Sequence, residues 1–462
     1  MAAGKGTRMK SRLPKVLHAL GGRPLLMYVV DMARVLHARN TVVITGHGAE
    51  VVESALTVYS AGTAMEGLHC VRQEPQLGTG HAVAQAMPVL PDEGVVVVLS
   101  GDVPLTRADT LRDLIAASGG DKLALLTIDF DNPAGYGRIV REHGQEGSVL
   151  SIVEHKDASD AQRAIREIYS GIMVAPVRFL KPWLARLDNS NAQGEYYLTD
   201  IVKFAVADGV PVVAHKITDP VQVAGINSPV QLAELERAYQ RQVAHRLMEQ
   251  GVRLADPARL DVRGSLQCDE DVSIDVNCVF EGHVELAEGV RIGAHCVIAN
   301  ASIAPGAVIH PFTHIDGEKV GVYVGEGALV GPFARLRPGA VLGERVHIGN
   351  FVEVKNSTLA AGAKANHLAY LGDATVGERV NYGAGSITAN YDGANKHRTI
   401  IESDVHVGSN CVLVAPVVLG AGSTIGAGST ITKNTEPGAL SVVRGTQRSK
   451  AHWVRPQKAK PE

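Results

Sequence analysis

The chain has 462 residues, with 45 Lys and Arg against 48 Asp and Glu and 49 glycines. That length exceeds one ordinary core and implies two or three domains, while the near balance of charge excludes bulk binding to nucleic acid or an acidic membrane. Five cysteines, at positions 70, 268, 278, 296 and 411, include no Cys-x-x-Cys pair, which excludes a disulfide framework and a zinc knuckle and fits a reducing compartment.

No apolar run is long enough to cross a membrane, and no signal peptide is visible, so a soluble cytoplasmic protein is expected. Residues 1–226 alternate apolar strands with amphipathic helices. Strands are expected at Val42–Thr45, Val95–Ser100, Leu123–Ile128, Gly171–Ala175 and Val212–His215, and helices at Leu25–His37, Gly80–Met87, Thr106–Ala117 and Thr199–Ala207. The run Val95-Val96-Val97-Val98-Leu99 has the pattern of a strand covered on both faces. The alternation implies an α/β, Rossmann-like domain with a mostly parallel sheet, in which ligands bind beyond the carboxyl ends of the strands.

The stretch Ala2-Ala3-Gly4-Lys5-Gly6-Thr7-Arg8-Met9 is rich in glycine and basic. Such a loop lets backbone N–H groups approach phosphates. It is neither a dinucleotide fingerprint, since the third glycine would fall at Met9, nor a Walker loop. Leu13-Pro14-Lys15 offers a second cation, and Gln76-Leu77-Gly78-Thr79-Gly80-His81 is another small-residue turn that opens a helix. Ser100-Gly101-Asp102 closes the most apolar strand. Asp102 is there either as a cap for the next segment or as a ligand for Mg²⁺, which takes one or two protein oxygens together with substrate phosphates. Gly135-Tyr136-Gly137-Arg138 and Glu154-His155-Lys156-Asp157 are further polar loop clusters.

Residues 227–250 read as one linker helix. Ser228 is its N-cap, Pro229 lies in the first turn, Leu232, Leu235, Tyr239, Val243 and Leu247 recur at helical spacing, and Gly251 ends it. Residues 251–462 then change character. Single bulky apolar residues recur every six positions, at Ile274, Phe280, Leu286, Ile292 and Ile298, at Val330, Leu336, Leu342, Ile348 and Val354, and at Val407, Leu413, Leu419, Ile425 and Ile431. On an α-helix this spacing would spiral round the axis. On a parallel β-helix it places one residue per short strand inward, with small residues at the corners and three hexads to a coil. A spacing of five interrupts it at Ile298–Ile303, a less regular segment spans Asp316–Val324, and the largest break runs from Thr388 to Ile400. Insertions in a solenoid leave as loops on one face, often the binding face. The basic tail, with Arg448, Lys450, Arg455, Lys458 and Lys460, is either a flexible end or a contact for an anionic ligand.

Within the repeat, Arg335-Leu336-Arg337-Pro338, Glu353-Val354-Lys355 and Asn366-His367-Leu368-Ala369-Tyr370 bring basic and aromatic residues onto the outer face, and Asn381, Asn390 and Tyr391 follow. The cluster suits an anionic sugar phosphate. His367 is either a surface residue at a coil corner or a general base.

Ala2 through Lys15, with Gly101-Asp102, closely resemble the signature of the nucleotide-sugar pyrophosphorylases. That resemblance implies attack of a sugar 1-phosphate on the α-phosphorus of a nucleoside triphosphate. It implies Mg²⁺ held by Asp102 and Asn227, and Arg8 and Lys15 neutralising the leaving pyrophosphate. Ala2, Ala3, Gly4, Ser100 and Gly101 would line the nucleotide. Gln73, Gly78 and Thr79 would select uracil, and Gly137, Glu154 and Tyr169 would lie at the sugar. The repeat resembles the hexapeptide-repeat acyltransferases, which fold as left-handed parallel β-helices and use acetyl-CoA.

The joined chain is similar over nearly its whole length to the bacterial enzymes that are both UDP-N-acetylglucosamine pyrophosphorylase and glucosamine-1-phosphate acetyltransferase. Asn191 through Asp200 and Asn390 through Lys396 carry that likeness. It implies His367 as the base for acetyl transfer, and Arg337, Lys355, Tyr370 and Asn381 as the residues that hold glucosamine 1-phosphate. Ala384, Asn390, Tyr391, Ser409, Ala427 and Arg444 would line the acetyl-CoA path. A homotrimer, UTP as nucleotide, and a role in peptidoglycan and lipopolysaccharide synthesis also follow from the likeness. The alternative is a nucleotidyltransferase of single function whose β-helix is regulatory or a scaffold. Two departures stand out. The apolar strand that precedes the Ala-Ala-Gly loop in the family has no counterpart before Met1, so the sheet is expected to lack it. Tyr169 stands where the family usually has Asn.

Overall fold

The computed structural model describes residues 1–63, 67–142, 144 and 147–456. Two compact units meet between Gln240 and Arg241, inside the helix Pro229–Glu249. Lys458 and Lys460 of the basic tail lie outside the described residues.

In the first unit, Leu123–Asp129 is buried along almost its whole length, as a strand covered on both faces must be. It pairs parallel with Val212–Ile217 on one side and antiparallel with the long strand Glu167–Pro176 on the other. The long strand carries a bulge at Gly171, whose φ of 88° only glycine adopts freely. The bulge divides its partners. Met173–Pro176 faces Val95–Val98, and Ile168 faces Arg138 at the start of the hairpin Arg138–Arg141 and Val149–Val153. Thr41–Thr45 and Leu68–Arg72 form a separate parallel pair.

Met1–Ala3 bridges these two sheets. The Met1 amine donates to Leu99 O at 2.8 Å, Gly101 N donates to Met1 O at 2.8 Å, and Ala2 N donates to Ile44 O at 2.7 Å. Behind this bridge an apolar cavity of about 390 Å³ lies between the strands, lined by Leu26, Val30, Val43, Val97, Val98 and Ile115. The helices Leu25–Val35, Thr79–Gln85, Ala108–Ser118 and Ile201–Ala207 lie within a residue or two of their expected ends. Ala49–Thr63, the short Asp160–Arg163 and Val177–Ala185 were not among the expected elements.

The second unit is a parallel β-helix. One face is an eleven-stranded parallel sheet. The other two faces join through the bent strands Leu260–Cys268, Cys278–Leu286 and Val297–Ile303. All fifteen residues of the six-residue series point inward with at most 3% exposure, so one apolar side chain per strand fills the bore. The five-residue step from Ile298 to Ile303 is a corner one residue short, where the register shifts and Asn300 takes a φ of 48°. In the linker, Gln231 N donates to Ser228 Oγ at 3.3 Å, the side-chain cap that the sequence called for. Among the described residues no helix is long and apolar enough to cross a membrane.

Candidate active sites

In the first unit the chain gathers its polar groups at the carboxyl ends of the strands. The Lys15 ammonium lies 2.5 Å from Asp102 Oδ2 and 2.9 Å from Asn227 Oδ1. Backbone pairing brings these segments together, since Ile226 N donates to Asp102 O at 3.0 Å. Gly6, at a φ of 57°, packs against the Lys15 stem, and an added Cβ would come within 2.8 Å of it. Asp102 and Asn227 therefore present two oxygens to one point, and a cation already stands there. That donor set fits Mg²⁺, which takes one or two such oxygens and fills its octahedron with phosphates and water. The loop Gly4–Arg8 is largely exposed.

The turn after Gln73 is held from two sides. Gly80 N donates to Tyr196 O at 2.8 Å, Tyr196 N donates to Leu77 O at 2.8 Å, and Leu198 N donates to Thr79 Oγ1 at 3.1 Å. Gly78, at a φ of 109°, has no room for a side chain, because a Cβ would meet Tyr196 O at 2.7 Å. Gln73 is buried, and its Nε2 donates to Gly78 O at 2.9 Å. Gly137 packs against Glu154. Burial raises the Glu154 carboxyl above the usual range, partly offset by the Thr199 hydroxyl, which donates to it at 3.0 Å. Ser100 faces Gly171 across the bulge. Tyr169 is placed differently from an open-site residue. Its ring belongs to the core and its hydroxyl is enclosed without a partner among the described residues, while its backbone N donates to Gly137 O at 2.9 Å.

The second site follows one corner of the β-helix. Successive backbone bonds (Leu368 N to Asn350 O, Gly385 N to His367 O, Asn410 N to Ala384 O, Gly428 N to Ser409 O) stack Asn350, His367, Ala384, Ser409 and Ala427 in a single column. Arg444 comes next, packed against the Gly428 turn. His367 Nδ1 lies 2.9 Å from Asn350 Oδ1. An acceptor there places the ring proton on Nδ1 and leaves Nε2 free as a base. Round the corner, Arg337 and Lys355 sit on adjacent rungs, and Tyr370 pairs with Glu353. Asn381 lies on the face before the corner, opposite Lys364.

Glu353 Oε1 accepts from Arg337 Nη1 at 2.9 Å and fixes that guanidinium. The neighbouring Lys396, then burial, lower the pKa of Lys355, so two ammonium groups crowd one spot and favour an anion between them. Asn390 is buried with its amide on Asp373, whose other oxygen accepts from Asn356 at 2.5 Å. Tyr391 is exposed on the hairpin that the insertion forms, and its hydroxyl donates to Gly393 O at 2.6 Å. Asn350, Lys396 and Asp373 were not among the residues expected at this site.

Beside this column runs a second one. His295, Phe312, Phe333 and Phe351 stack ring on ring at 4.9, 5.0 and 5.5 Å. Phe312, Phe333 and Phe351, with Leu368 next in line, are half-exposed or more, so a long apolar stripe borders His367.

Comparison with known proteins places both units. The family model for the MobA-like NTP transferase domain matches residues 1–251, and that for the bacterial transferase hexapeptide (six repeats) matches 321–356 and 398–433. The bifunctional protein GlmU of Paracidovorax citrulli is 72% identical, covering 99% of this chain and 98% of its own. That of Albidiferax ferrireducens is 72% identical, covering 99% of each chain. That of Polaromonas naphthalenivorans is 74% identical, covering 99% of this chain and 97% of its own.

Proposed function

The chain belongs to the GlmU family of bifunctional proteins, and from that premise we propose how its residues divide the two reactions. The protein is a bifunctional enzyme. It acetylates glucosamine 1-phosphate with acetyl-CoA and then transfers UMP from UTP to the product, giving UDP-N-acetylglucosamine and pyrophosphate for cell-wall synthesis. A nucleotidyltransferase with a merely regulatory β-helix is set aside by the match to bifunctional relatives over 99% of the chain.

Acetyl transfer belongs to the corner column. The observation that carries this assignment is the 2.9 Å contact between His367 Nδ1 and Asn350 Oδ1, which holds the imidazole as a base. Nε2 takes a proton from the 2-amine as its nitrogen attacks the thioester carbonyl. The C–N bond forms, the C–S bond breaks, and the CoA sulfur leaves with a proton. Arg337, Lys355 and Lys396 hold the sugar phosphate, with Tyr370 and Asn381 around the ring. Ala384, Ser409 and Ala427 form a flat track for acetyl-CoA, and Arg444 ends it. Tyr391 borders the track, and Asn390 fixes the insertion through Asp373.

Uridylyl transfer belongs to the first unit. Ala2, Ala3, Gly4, Ser100 and Gly101 line the nucleotide, and Gln73, Gly78 and Thr79 read uracil. Gly137 and Glu154 meet the sugar, and Tyr169 shapes that wall through its backbone. Asp102 and Asn227 would hold Mg²⁺, which supplies charge neutralisation between phosphates. Arg8 and Lys15 stabilise the pyrophosphate as the phosphate oxygen of the sugar attacks the α-phosphorus and the α–β bridge opens.

The apolar stripe beside His367 supports a homotrimer in which a neighbouring subunit covers it. A cytoplasmic location fits substrates made and used inside the cell.

The test is a paired assay on one preparation, reading CoA thiol and pyrophosphate. Both products are expected with the full substrate set. EDTA is expected to stop pyrophosphate release and leave CoA release unchanged. Loss of both on chelation, or of neither, contradicts the division of sites.

A further inference from the structure

We infer that Asp373 is a positioning residue for acetyl transfer: it clamps the 390–397 hairpin to the β-helix so that Lys396 stands beside Lys355 at the sugar phosphate. This rests on the reading of Lys355 and Lys396 as cations that hold that phosphate.

A buried carboxylate is costly unless its oxygens are used. Asp373 is 6% exposed, and amides rather than a cation take both of its oxygens. Oδ1 accepts from Asn356 Nδ2 at 2.5 Å, and Oδ2 accepts from Asn390 Nδ2. Its backbone is engaged as well. Asp373 N donates to Lys355 O at 3.1 Å, and Thr399 N donates to Asp373 O at 3.2 Å. Asp373 and Asn356 take φ values of 50° and 45°, a left-handed conformation that Asp and Asn tolerate better than most side chains. Asp373 thus grips the insertion at Asn390, where it leaves the coil, and at Thr399, where it returns. The same residue is tied to Lys355 and Asn356 on the preceding coil.

The hairpin is itself cross-braced. Asp392 Oδ1 accepts from Ala394 N at 2.8 Å and from Asn395 N at 2.7 Å, and Asp392 Oδ2 lies 2.6 Å from His397 Nε2. His397 N donates to Asn390 O at 2.8 Å, and Tyr391 faces Lys396 across the hairpin. A braced hairpin moves as one body, so whatever fixes its base sets the place of Lys396. That place has to be enforced, because one ammonium repels another. Lys396 and then burial lower the pKa of Lys355, and the charge of Asp373 opposes them. A phosphate dianion between the two ammonium groups relieves the repulsion. Holding both cations ready before the substrate arrives reduces the ordering lost on binding.

The test measures acetyl transfer by the full-length protein, as kcat and as KM for glucosamine 1-phosphate, at several salt concentrations. The variants are Asp373→Ala, Asp373→Asn, Lys396→Ala and the double variant Asp373→Ala with Lys396→Ala. Asp373→Ala and Lys396→Ala are each expected to raise KM about tenfold, with kcat at saturating sugar phosphate within about threefold of wild type. In both, KM is expected to climb less steeply with salt than in the wild type, since one cation no longer meets the phosphate. The double variant is expected to match Lys396→Ala, because Asp373 acts through Lys396. Asp373→Asn keeps the shape of the side chain and can bond both amides once Asn390 turns its oxygen inward. It is expected to recover most of the affinity. Losses that add in the double variant, or Asp373→Asn as impaired as Asp373→Ala, overturn the clamp. A KM unmoved by Lys396→Ala overturns the reading of the phosphate site, and the inference falls with it.

Discussion

Lys15 does two things that exclude each other. Its ammonium stands between Asp102 and Asn227, and the proposed function also asks it to neutralise the leaving pyrophosphate. If Asp102 and Asn227 hold a divalent cation, the Lys15 ammonium would have to leave those oxygens, and its side chain would then be free to turn to the phosphates. Removing Lys15 therefore ought to tighten divalent binding while weakening catalysis. For Lys15→Met without nucleotide, Mn²⁺ affinity measured by electron paramagnetic resonance is expected to rise about tenfold, if the ammonium holds the site nine-tenths of the time. Unchanged affinity would mean that the metal binds elsewhere. The sequence carried Asp102 and Lys15 as separate candidates, and their contact spans 87 positions that no local pattern encodes. Tyr169 illustrates the converse. A substitution at a ligand position was legible, but only packing reveals that its hydroxyl is enclosed and that its backbone is what reaches Gly137.

At the scale of the element, the β-helix transmits position along its columns. Gly349 precedes Asn350, and a Cβ on it would come within 2.0 Å of Asn366 O in the next coil. Backbone cannot yield there as a flexible side-chain tip can. Gly349→Ala is expected to shift the strand end that carries Asn350 and His367 and to lower acetyl-transfer kcat by about a hundredfold, with uridylyl transfer intact. Full acetylation in this variant would mean that the column does not set the geometry of the base. The six-residue period was readable because one inward side chain per strand is a purely local rule, as Leu336, Leu342 and Val354 illustrate. The column was not readable. Its members fall 17, 17, 25 and 18 positions apart, since coils differ by a residue and the insertion at 390–397 adds more. In the first unit, likewise, the run Val95–Leu99 announced a buried strand, but the bulge at Gly171 and the antiparallel course of Glu167–Pro176 are set by partners distant in sequence.

At the scale of the whole molecule, the chain is two enzymes whose chemistries need different surroundings. Uridylyl transfer takes place among phosphates and asks for cations on an exposed, glycine-rich loop at the edge of a sheet. Acetyl transfer needs one base held in one tautomer beside a long cofactor, which a rigid rod with a flat corner provides. Each unit closes its own core, and the residues assigned to each reaction lie within one unit. Independence of the two sites is thus the central claim. It is tested most directly by measuring CoA release and pyrophosphate release, each with its own substrates supplied, in His367→Ala and Asp102→Asn of the full-length protein. His367→Ala is expected to lose CoA release by about a thousandfold and keep pyrophosphate release, and Asp102→Asn to do the reverse. Either variant losing both activities, or His367→Ala acetylating at the wild-type rate, would contradict it.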